Sequence, residues 1–456
     1  MTTTTETPAL LSSAAARGGF REIFELAYPV VLTQMSATAM GVVDSAMVGR
    51  LGATELAAVG FSAVWLWTVF SFFHGTVSGI QTFVSQADGA GAPQSCGRWA
   101  WQALYVALPM AILCGALLAP AVGPLIALAG PSPEMQAAAT SYVLARLPGD
   151  VIFVVVMALT SFFRGIGDTY TPLYVTLLAN AVNAVLNYGL IFGRLGLPEW
   201  GVAGAGAATA ASQAMTAVVL YAAFRRRRVR ERYATDRAAP SAALMRRFLR
   251  TGLPIGGQWF VGMSSFAIFT TLVARMGDTS MAASQAFVML LSLSFMQAIG
   301  ISAASATLVG RYVGARDLPA AQRAFRSSLL LGLGVGAGVA LLFVSVPGPL
   351  LRIFSDDPTV VALGRPLLLL GALFQLCDAV EIISLGSLRG AGDTRFPFLI
   401  ETFFGWGVFL PLAYGLGVLA GYGLTGAWVG GTLSLSLSAL ILVRRFRSGA
   451  WREIHI

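Results

Sequence analysis

The chain has 456 residues, of which 56% are hydrophobic and only 11% charged. Soluble domains carry roughly 25% charged residues, so this composition excludes an ordinary soluble protein. The net charge of +9 is no evidence for nucleic-acid binding in so apolar a chain, and all thirty basic residues are arginine.

Apolar stretches of about twenty residues recur along the whole sequence, which is typical of membrane-spanning helices. Continuous runs of this kind argue against a transmembrane β-barrel, whose strands alternate over about ten residues. The predicted spans are 22–49, 56–83, 97–122, 137–163, 171–193, 201–224, 247–274, 281–309, 323–347, 359–388, 396–419 and 423–444. The sequence therefore predicts an all-α integral membrane protein with twelve transmembrane helices.

An offset of 225 residues relates the first six predicted helices to the last six. RGIGDT at 164–169 returns as RGAGDT at 389–394, and VGRLG at 48–52 returns as VARMG at 273–277. One offset across separated matches predicts two copies of one unit, which in a membrane suggests two pseudo-symmetric lobes around a pathway. The predicted divisions are a tail 1–21, an N-lobe 22–224, an arginine-rich linker 225–246, a C-lobe 247–444 and a tail 445–456.

Arginine placement predicts the orientation of the chain. The termini and the connections near 84–98, 164–170, 225–250, 310–326 and 389–395 carry most of the arginines. By the positive-inside rule this side, with both termini, faces the cytoplasm. Because each copy has an even number of helices, the copies run parallel. The charge of the linker predicts a solvated segment held at anionic lipid headgroups.

Motifs for enzymatic or ATP-driven chemistry are not found. Cys96, Cys114 and Cys377 lie in separate segments, which supports neither disulfides nor a metal site. No Walker, G-x-S-x-G or H-E-x-x-H sequence occurs, and the histidines are only His74 and His455. We therefore predict that the chain is not an enzyme and holds no cofactor. His74 is interpreted as a satisfied interior histidine rather than a titrating group.

The two RGxGDT loops are interpreted as structural, although a gating salt bridge stays possible. Glycine permits a tight turn after a helix, and proline can open the next helix. Asp168 and Asp393 are each expected to cap the following helix and to pair with the neighbouring arginine.

Asp44 is the most informative polar residue, because it lies well inside the first predicted helix and its counterpart in the second copy is Phe269. Charges at bilayer depth are costly and usually functional. A carboxyl group there could exchange a proton. The alternatives are a carboxylate that fixes helix packing or one that lies at the outer interface.

Further polar groups lie in the fifth, tenth and eleventh helices. Asp378 and Glu381 share one helical face, where repulsion favours a shared proton or a bound cation; otherwise one of them pairs with Arg389 or solvent. Asn183 and Asn187 are four residues apart, and such amides either bind ligands or join helices by hydrogen bonds. Glu401 is interpreted as a snorkelling or paired residue near the cytoplasmic interface.

Four segments carry a resemblance to a known family: VDSAMVGRLG at 43–52, FRGIGDTYTP at 163–172, NAVLNYGLIFG at 183–193 and LFQLCDAVEIISLGSLRGAGDT at 373–394. They resemble the multidrug and toxic compound extrusion (MATE) transporters, most nearly the NorM-type bacterial branch. The resemblance implies two V-shaped six-helix lobes in the bacterial inner membrane. Such proteins alternate access and export drug-like, often cationic compounds against an inward H⁺ or Na⁺ gradient.

The resemblance assigns roles to individual positions. Asp44 matches the coupling acid of the first helix, and Asp378 matches the acid of the tenth helix in the NorM-type branch. That branch tends to carry a glutamate in the seventh helix where this chain has Gly262. The DinF-type branch has an aspartate where this chain has Asn187, and Asn183 and Thr209 match polar positions of its first-lobe pocket.

We therefore expect a secondary antiporter that exports drug-like, cationic organic compounds, with H⁺ coupling favoured over Na⁺. The expected ion-coupling residues are Asp44, Asp378 and Glu381. The expected substrate-binding residues are Gln34, Asn183, Asn187, Thr209, Gln258, Trp259 and Phe266. A monomer in the bilayer without nucleic-acid partners is expected. The alternative is a lipid-linked precursor flippase or polysaccharide exporter of the same superfamily, which the arginines at the cytoplasmic face, rather than in a central cavity, make less favoured.

Overall fold

The structure is a computed structural model that describes residues 17–354 and 357–454, so His455 lies outside the described residues. Within those ranges the chain is helical without strands, and twelve helices are long and apolar enough to cross a membrane. Their bounds are α1 Phe20–Val48, α2 Ala53–Gly89, α3 Gln94–Ala127, α4 Pro133–Gly165, α5 Tyr170–Phe192, α6 Gly201–Phe224, α7 Ala242–Ala274, α8 Asp278–Gly314, α9 Leu318–Ser345, α10 Pro358–Ala391, α11 Arg395–Leu419 and α12 Gly423–Ser448. The all-α, twelve-helix prediction is confirmed.

Polar caps set where several helices begin. Ser132 accepts a hydrogen bond from the Met135 amide before α4, and Asp317 accepts one from the Ala320 amide before α9. Asp357 accepts hydrogen bonds from the hydroxyl and the amide of Thr359 before α10, and these two bonds lower the pKa of the Asp357 carboxyl group. Each cap satisfies an amide that has no partner inside its own helix.

Helix α11 departs from regular geometry, whereas its counterpart α5 is a plain α-helix. It contains two π-helical stretches, Phe403–Phe409 and Gly415–Leu419. π-Helical insertions are frequent at functional sites. The first stretch begins two residues after Glu401.

The lobes pack together through pseudo-equivalent pairs of helices, α1 with α8 and α2 with α7. A Cβ atom on Gly300 would lie 2.9 Å from the backbone nitrogen of Val31, and one on Gly75 would lie 2.8 Å from Cα of Gly256. Gly75 and Gly300, like Val31 and Gly256, are related by the 225-residue offset. Small residues therefore let the two lobes approach each other at backbone distance.

The lobes are joined by hydrogen bonds at the end of the molecule that carries the arginine-rich connections. Thr82 Oγ1 donates to the carbonyl oxygen of Arg389 over 2.9 Å, and Thr307 Oγ1 donates to that of Arg164 over 2.9 Å. Both carbonyls belong to the last turn of a helix, where no intrahelical partner is available. Because Thr82 corresponds to Thr307 and Arg164 to Arg389, the two bonds are related by the repeat. We call this contact, formed by 81–89, 164–167, 303–314 and 389–390, the seam.

Glycines allow the seam to close. A Cβ atom on Gly89 would lie 1.9 Å from the carbonyl oxygen of Arg311, and one on Gly314 would lie 2.0 Å from that of Gln86. An ion pair between Arg311 and Asp88, 3.1 Å apart, adds one contact that the repeat does not duplicate. Among the described residues, all hydrogen bonds between the lobes lie at this end, so the structure is closed there.

The linker between the lobes is partly docked on α3. Trp101 donates to the carbonyl oxygen of Thr235, and Gln102 donates to that of Ala239. Thr235 is fully buried, and burial raises the pKa of Tyr233 to about 12. The prediction of a solvated linker is therefore wrong for this part, because backbone carbonyls of the linker find donors on the N-lobe. The arginines of the preceding short helix, Arg227–Tyr233, remain mostly exposed.

Candidate functional site

The structure brings the acid of α1 together with the amides of α5. Asn187 Nδ2 donates to Asp44 Oδ1 over 2.5 Å and lies 3.1 Å from Asn183 Oδ1. Asn183 and Asn187 are buried. Asp44 itself is half-buried. A carboxylate that is partly withdrawn from water needs such donors, and the two amides continue the polar contact from α1 into α5.

Helix α4 adds a charged group that the sequence interpretation did not include. Arg146 Nη1 donates to the Tyr142 hydroxyl over 2.6 Å, and its Nε lies 3.3 Å from Asp150 Oδ2. The guanidinium also interacts electrostatically with Asp44. The side chain of Arg146 is 20% exposed and that of Asp150 is 6% exposed. In the sequence, these two residues could have been recognised as opposite charges four residues apart inside an apolar span.

Together, these residues form what we call the N-lobe pocket: Asp44, Tyr142, Arg146, Asp150, Asn183 and Asn187. Two carboxylates and one guanidinium give it one net negative charge when all three are ionised. One proton or one monovalent cation would therefore neutralise it. This charge balance suits a site that exchanges a single positive charge.

The repeat does not reproduce the pocket in the C-lobe. The positions equivalent to Asp44, Tyr142, Arg146 and Asp150 are Phe269, Leu367, Gly371 and Gln375. Phe269 instead packs against Trp428 and Phe409, with ring centroids 4.9 Å apart in both pairs. The asymmetry predicted at Asp44 thus extends to the surrounding charged residues.

A second polar cluster occupies the C-lobe, around Asp378 and Glu381 of α10. Glu381 is buried and accepts a hydrogen bond from the Ser438 hydroxyl of α12. Glu401 of α11 interacts electrostatically with both acids and with Arg389. Of the two interpretations of Glu401, the paired one agrees with its interaction with Arg389, and the snorkelling one does not. Three carboxylates face one guanidinium in this cluster.

Glu401 also faces the position at which the resemblance leads one to expect a glutamate. Its Oε2 atom lies 3.7 Å from the place that a Cβ atom on Gly262 would occupy. An acidic group of a neighbouring helix thus lies beside Gly262. No motif in the sequence links positions 262 and 401.

The other predicted substrate-binding residues are more scattered. Gln258 is buried and accepts two hydrogen bonds from Arg389, at 3.0 and 2.7 Å. Trp259 packs against Gly75 of the N-lobe, and Phe266 is 37% exposed.

Thr209 donates to the carbonyl oxygen of Ala205 in its own helix. Gln34 is half-buried. Within the described part of the chain, no hydrogen bond or ion pair joins these five residues to Asp44 or Asp378.

His74 is buried against aromatic rings, with its centroid 4.9 Å from that of Phe153 and 5.6 Å from that of Trp67. Neither ring nitrogen has a hydrogen-bond partner in the described structure, so the prediction of a satisfied histidine is wrong. Arg146 interacts electrostatically with the imidazole. His74 therefore lies beside the N-lobe pocket without a bond to it.

The RGxGDT loops have the predicted glycine turns but only some of the predicted aspartate contacts: within the described residues, Asp168 makes no ion pair with Arg164, and Asp393 does not cap α11. Gly167 and Gly392 adopt φ values of +82° and +94°, which favour glycine. Asp168 accepts a hydrogen bond from the Thr171 amide at the start of α5. Asp393 pairs with Arg445 of α12 at 2.8 Å rather than with Arg389, because Arg389 is directed toward Gln258. The loop thereby ties α10 to α12.

A family profile described as MatE matches the chain twice, over residues 29–189 and 254–414. The two matches are offset by 225 residues, the register found in the sequence. Together they cover more than half of the chain. The two-copy organisation and the family resemblance are both confirmed.

Relatives match over nearly the whole chain. A probable multidrug resistance protein NorM from Geobacillus kaustophilus is 33% identical over 447 residues, covering 97% of this chain and 98% of the relative. One of the same name from Thermotoga maritima is 30% identical, covering 95% and 93%. A solved MOP-superfamily transporter from Pyrococcus furiosus has a TM-score of 0.87 at 20% identity, covering 96% and 98%, and shares the fold. None of these names describes an enzyme, and the chain belongs to the MatE family of membrane transporters.

Proposed function

We propose that the protein is a proton-coupled antiporter that exports drug-like organic cations by alternating access. The observation that carries the proposal is the N-lobe pocket, whose two carboxylates and one guanidinium leave one net negative charge when ionised and which the repeat does not reproduce in the C-lobe. The multidrug resistance names of the relatives support drug efflux as the transport activity.

The groups around Asp44 favour a proton over Na⁺ as the coupling ion. A hard metal cation requires several oxygen ligands. The nearest partners of Asp44 are instead an amide nitrogen donor, Asn187 Nδ2, and the positive charge of Arg146. An amide donor and the permanent positive charge of Arg146 disfavour a metal ion next to this carboxylate. They do not prevent the carboxylate from binding a proton.

The acidic cluster of the C-lobe supports a cationic substrate. When ionised, the cluster has three negative charges, on Asp378, Glu381 and Glu401, and one positive charge, on Arg389. Its net negative charge attracts cations. Phe266 and other aromatic side chains of α7 are partly exposed, and aromatic faces bind organic cations. Polar groups in an apolar surrounding suit a site that accepts many drug-like compounds.

The arginines and the seam support a proposal for the orientation and the state of the transporter. We propose that the arginine-rich side and both termini face the cytoplasm of a bacterium, with the protein a monomer in the inner membrane. Since the lobes are joined at that side, this structure corresponds to an outward-facing state. Transport would require the seam to open and the opposite ends of the lobes to close.

The proposal is tested with purified protein in liposomes loaded with a fluorescent organic cation. A pH gradient alone is expected to drive export of the dye, and a Na⁺ gradient at equal pH is expected to have no effect. Export driven only by Na⁺ would overturn proton coupling. Movement of a lipid-linked sugar without dye transport would instead favour a flippase.

The paired hydroxyls of the seam give a quantitative prediction. Thr82→Val removes one hydrogen bond between the lobes, whereas Thr307→Val removes two, because Thr307 Oγ1 also accepts one from Gln81 Nε2 over 2.9 Å. Each bond is worth about 0.5–1.5 kcal/mol. Thr82→Val is therefore expected to raise the open population of the seam by roughly two- to tenfold, and Thr307→Val by at least the same factor. The measurement is the alkylation rate of Ser85→Cys, a fully buried seam position, in protein whose three native cysteines are replaced. A clear effect of only one substitution would contradict the pseudo-symmetric role.

A further inference from the structure

The ion pair inside the N-lobe pocket is incomplete. Arg146 Nε and Asp150 Oδ2 are 3.3 Å apart, yet both atoms are buried and neither makes a hydrogen bond within the described residues. The directed hydrogen bond of the guanidinium goes to Tyr142 instead. Burying a charged group costs free energy when its donor or acceptor atoms lack hydrogen bonds. Arg146 would therefore be stabilised by moving to a position where Nε finds an acceptor.

Asn187, the hydrogen-bond partner of Asp44, carries an acceptor atom without a partner. Asn187 binds Asp44 through Nδ2, but its Oδ1 atom is buried and without a hydrogen bond. Arg146 already interacts electrostatically with Asp44. The pocket therefore contains two carboxylates that attract Arg146: Asp150, 3.3 Å away, and Asp44, whose partner Asn187 has an oxygen without a hydrogen bond.

We propose that Arg146 exchanges partners between Asp150 and Asp44 during the proton cycle, as a positioning residue built into α4. When Asp44 loses its proton, the guanidinium pairs with Asp44 and with Asn187 Oδ1. When Asp44 takes up a proton, the guanidinium returns to Asp150. The inference rests on the proposed proton coupling at Asp44 and supplies the group that senses it.

The titratable and charged groups that face the pocket can be assigned helix by helix. Helix α1 contributes Asp44, α2 contributes His74, and α4 contributes Tyr142, Arg146 and Asp150. Helices α5 and α6 carry no Asp, Glu, His, Lys or Arg, and the pocket-facing groups of α5 are amides. Arg146 is thus the cation that both carboxylates can use, and His74 is the neighbouring group that its charge also affects.

Partner exchange would transmit the protonation state to the backbone. Pro148 lies within α4, two residues after Arg146, and a proline inside a helix removes a hydrogen bond and permits bending. Pairing of Arg146 with Asp44 draws α4 toward α1, and pairing with Asp150 keeps the charge balance within α4. The position of these helices then depends on a single proton.

The inference is tested by the stability of purified variants, without a gradient or a substrate. If either carboxylate can hold Arg146, Asp44→Asn and Asp150→Asn should each be tolerated, whereas the double variant leaves a buried charge uncompensated. The double variant is expected to lose stability beyond the sum of the single effects, on the order of a hundredfold in the ratio of folded to unfolded protein. Adding Arg146→Gln to the double variant should restore that ratio.

A matched readout follows the protonation of Asp44 directly. Carbodiimide labels protonated carboxyl groups, and peptide mass spectrometry measures the labelling of Asp44 against pH. A carboxylate that loses a nearby positive charge binds a proton more readily. Arg146→Gln should therefore move the half-labelling of Asp44 to an at least about tenfold lower proton concentration. Asp150→Asn should move the half-labelling to a higher proton concentration. Arg146→Lys should leave it near the native value.

Additive effects in the variant cycle, or no rescue by Arg146→Gln, would overturn partner exchange. Labelling shifts of the same sign in both single variants would also overturn it. Because both assays use the isolated protein, they can fail while proton-driven export is observed in liposomes. Conversely, a protein that exports no dye in response to a pH gradient could still show the exchange, so the two proposals fail separately.

Discussion

Asp44→Asn is expected to abolish proton-driven export while the protein remains folded. The amide has nearly the shape of the carboxyl group and can still accept the hydrogen bond from Asn187, but it cannot exchange a proton. In liposomes with an imposed pH gradient, the initial rate of dye export should fall by at least about tenfold, because the one acidic group of α1 at bilayer depth is lost.

The matched control for this prediction is Asp278→Asn, the same chemical change at the exposed first residue of α8. It should retain the native rate of export. Unchanged export by Asp44→Asn at equal protein amounts would show that coupling lies elsewhere. If a Na⁺ gradient drove export by Asp44→Asn, the coupling site would instead be sought at Asp378, Glu381 and Glu401.

Gly89→Ala should prevent the seam from closing. The added methyl group would lie 1.9 Å from the carbonyl oxygen of Arg311, far inside van der Waals contact and against backbone that cannot simply rotate away. The lobes would have to separate at this end. The outward-facing population should fall by roughly a hundredfold or more, since overpacking typically costs about 1–3 kcal/mol and here involves rigid backbone. Alkylation of Ser85→Cys should rise, and dye export should be largely lost.

Gly60→Ala provides the control, because it introduces the same methyl group in the same helix α2 at a position with nothing within 4 Å. Both substitutions improve helix propensity, so a difference between them reports the seam and not the helix. Gly314→Ala should behave like Gly89→Ala, since its Cβ atom would lie 2.0 Å from the Gln86 carbonyl oxygen. Native export by Gly89→Ala would show that closure at this end is not required.

The two polar clusters differ in how far the sequence could predict them. Asp44, Asn183 and Asn187 are polar residues in apolar spans, and the fold brings them together as one site. Arg146 and Asp150 have the same property, but they are local partners on one helix, and a local pair can face lipid, water or the interior. Only the packing of α4 against α2, α3 and α6 decides which way that pair faces.

Glu401 shows a different limit. Its place near the predicted end of α11 suggested an interfacial residue, because a regular helix and an apolar profile were the only guides. In the structure it lies beside Gly262, at the start of a π-helical stretch that α5 lacks. An insertion of this kind depends on contacts with neighbouring helices, and hydrophobic periodicity does not encode it.

By itself, the sequence determined the all-α membrane class, the twelve helices, the 225-residue repeat and the asymmetry between Asp44 and Phe269. These features depend on residue order along the chain and on the cost of placing polar groups in lipid, both of which are local. Tertiary structure alone decided the Arg146 and Glu401 contacts, the docked linker and the pseudo-symmetric seam. Each of these joins residues far apart in sequence or selects one face of a helix, and that choice is made by packing between helices.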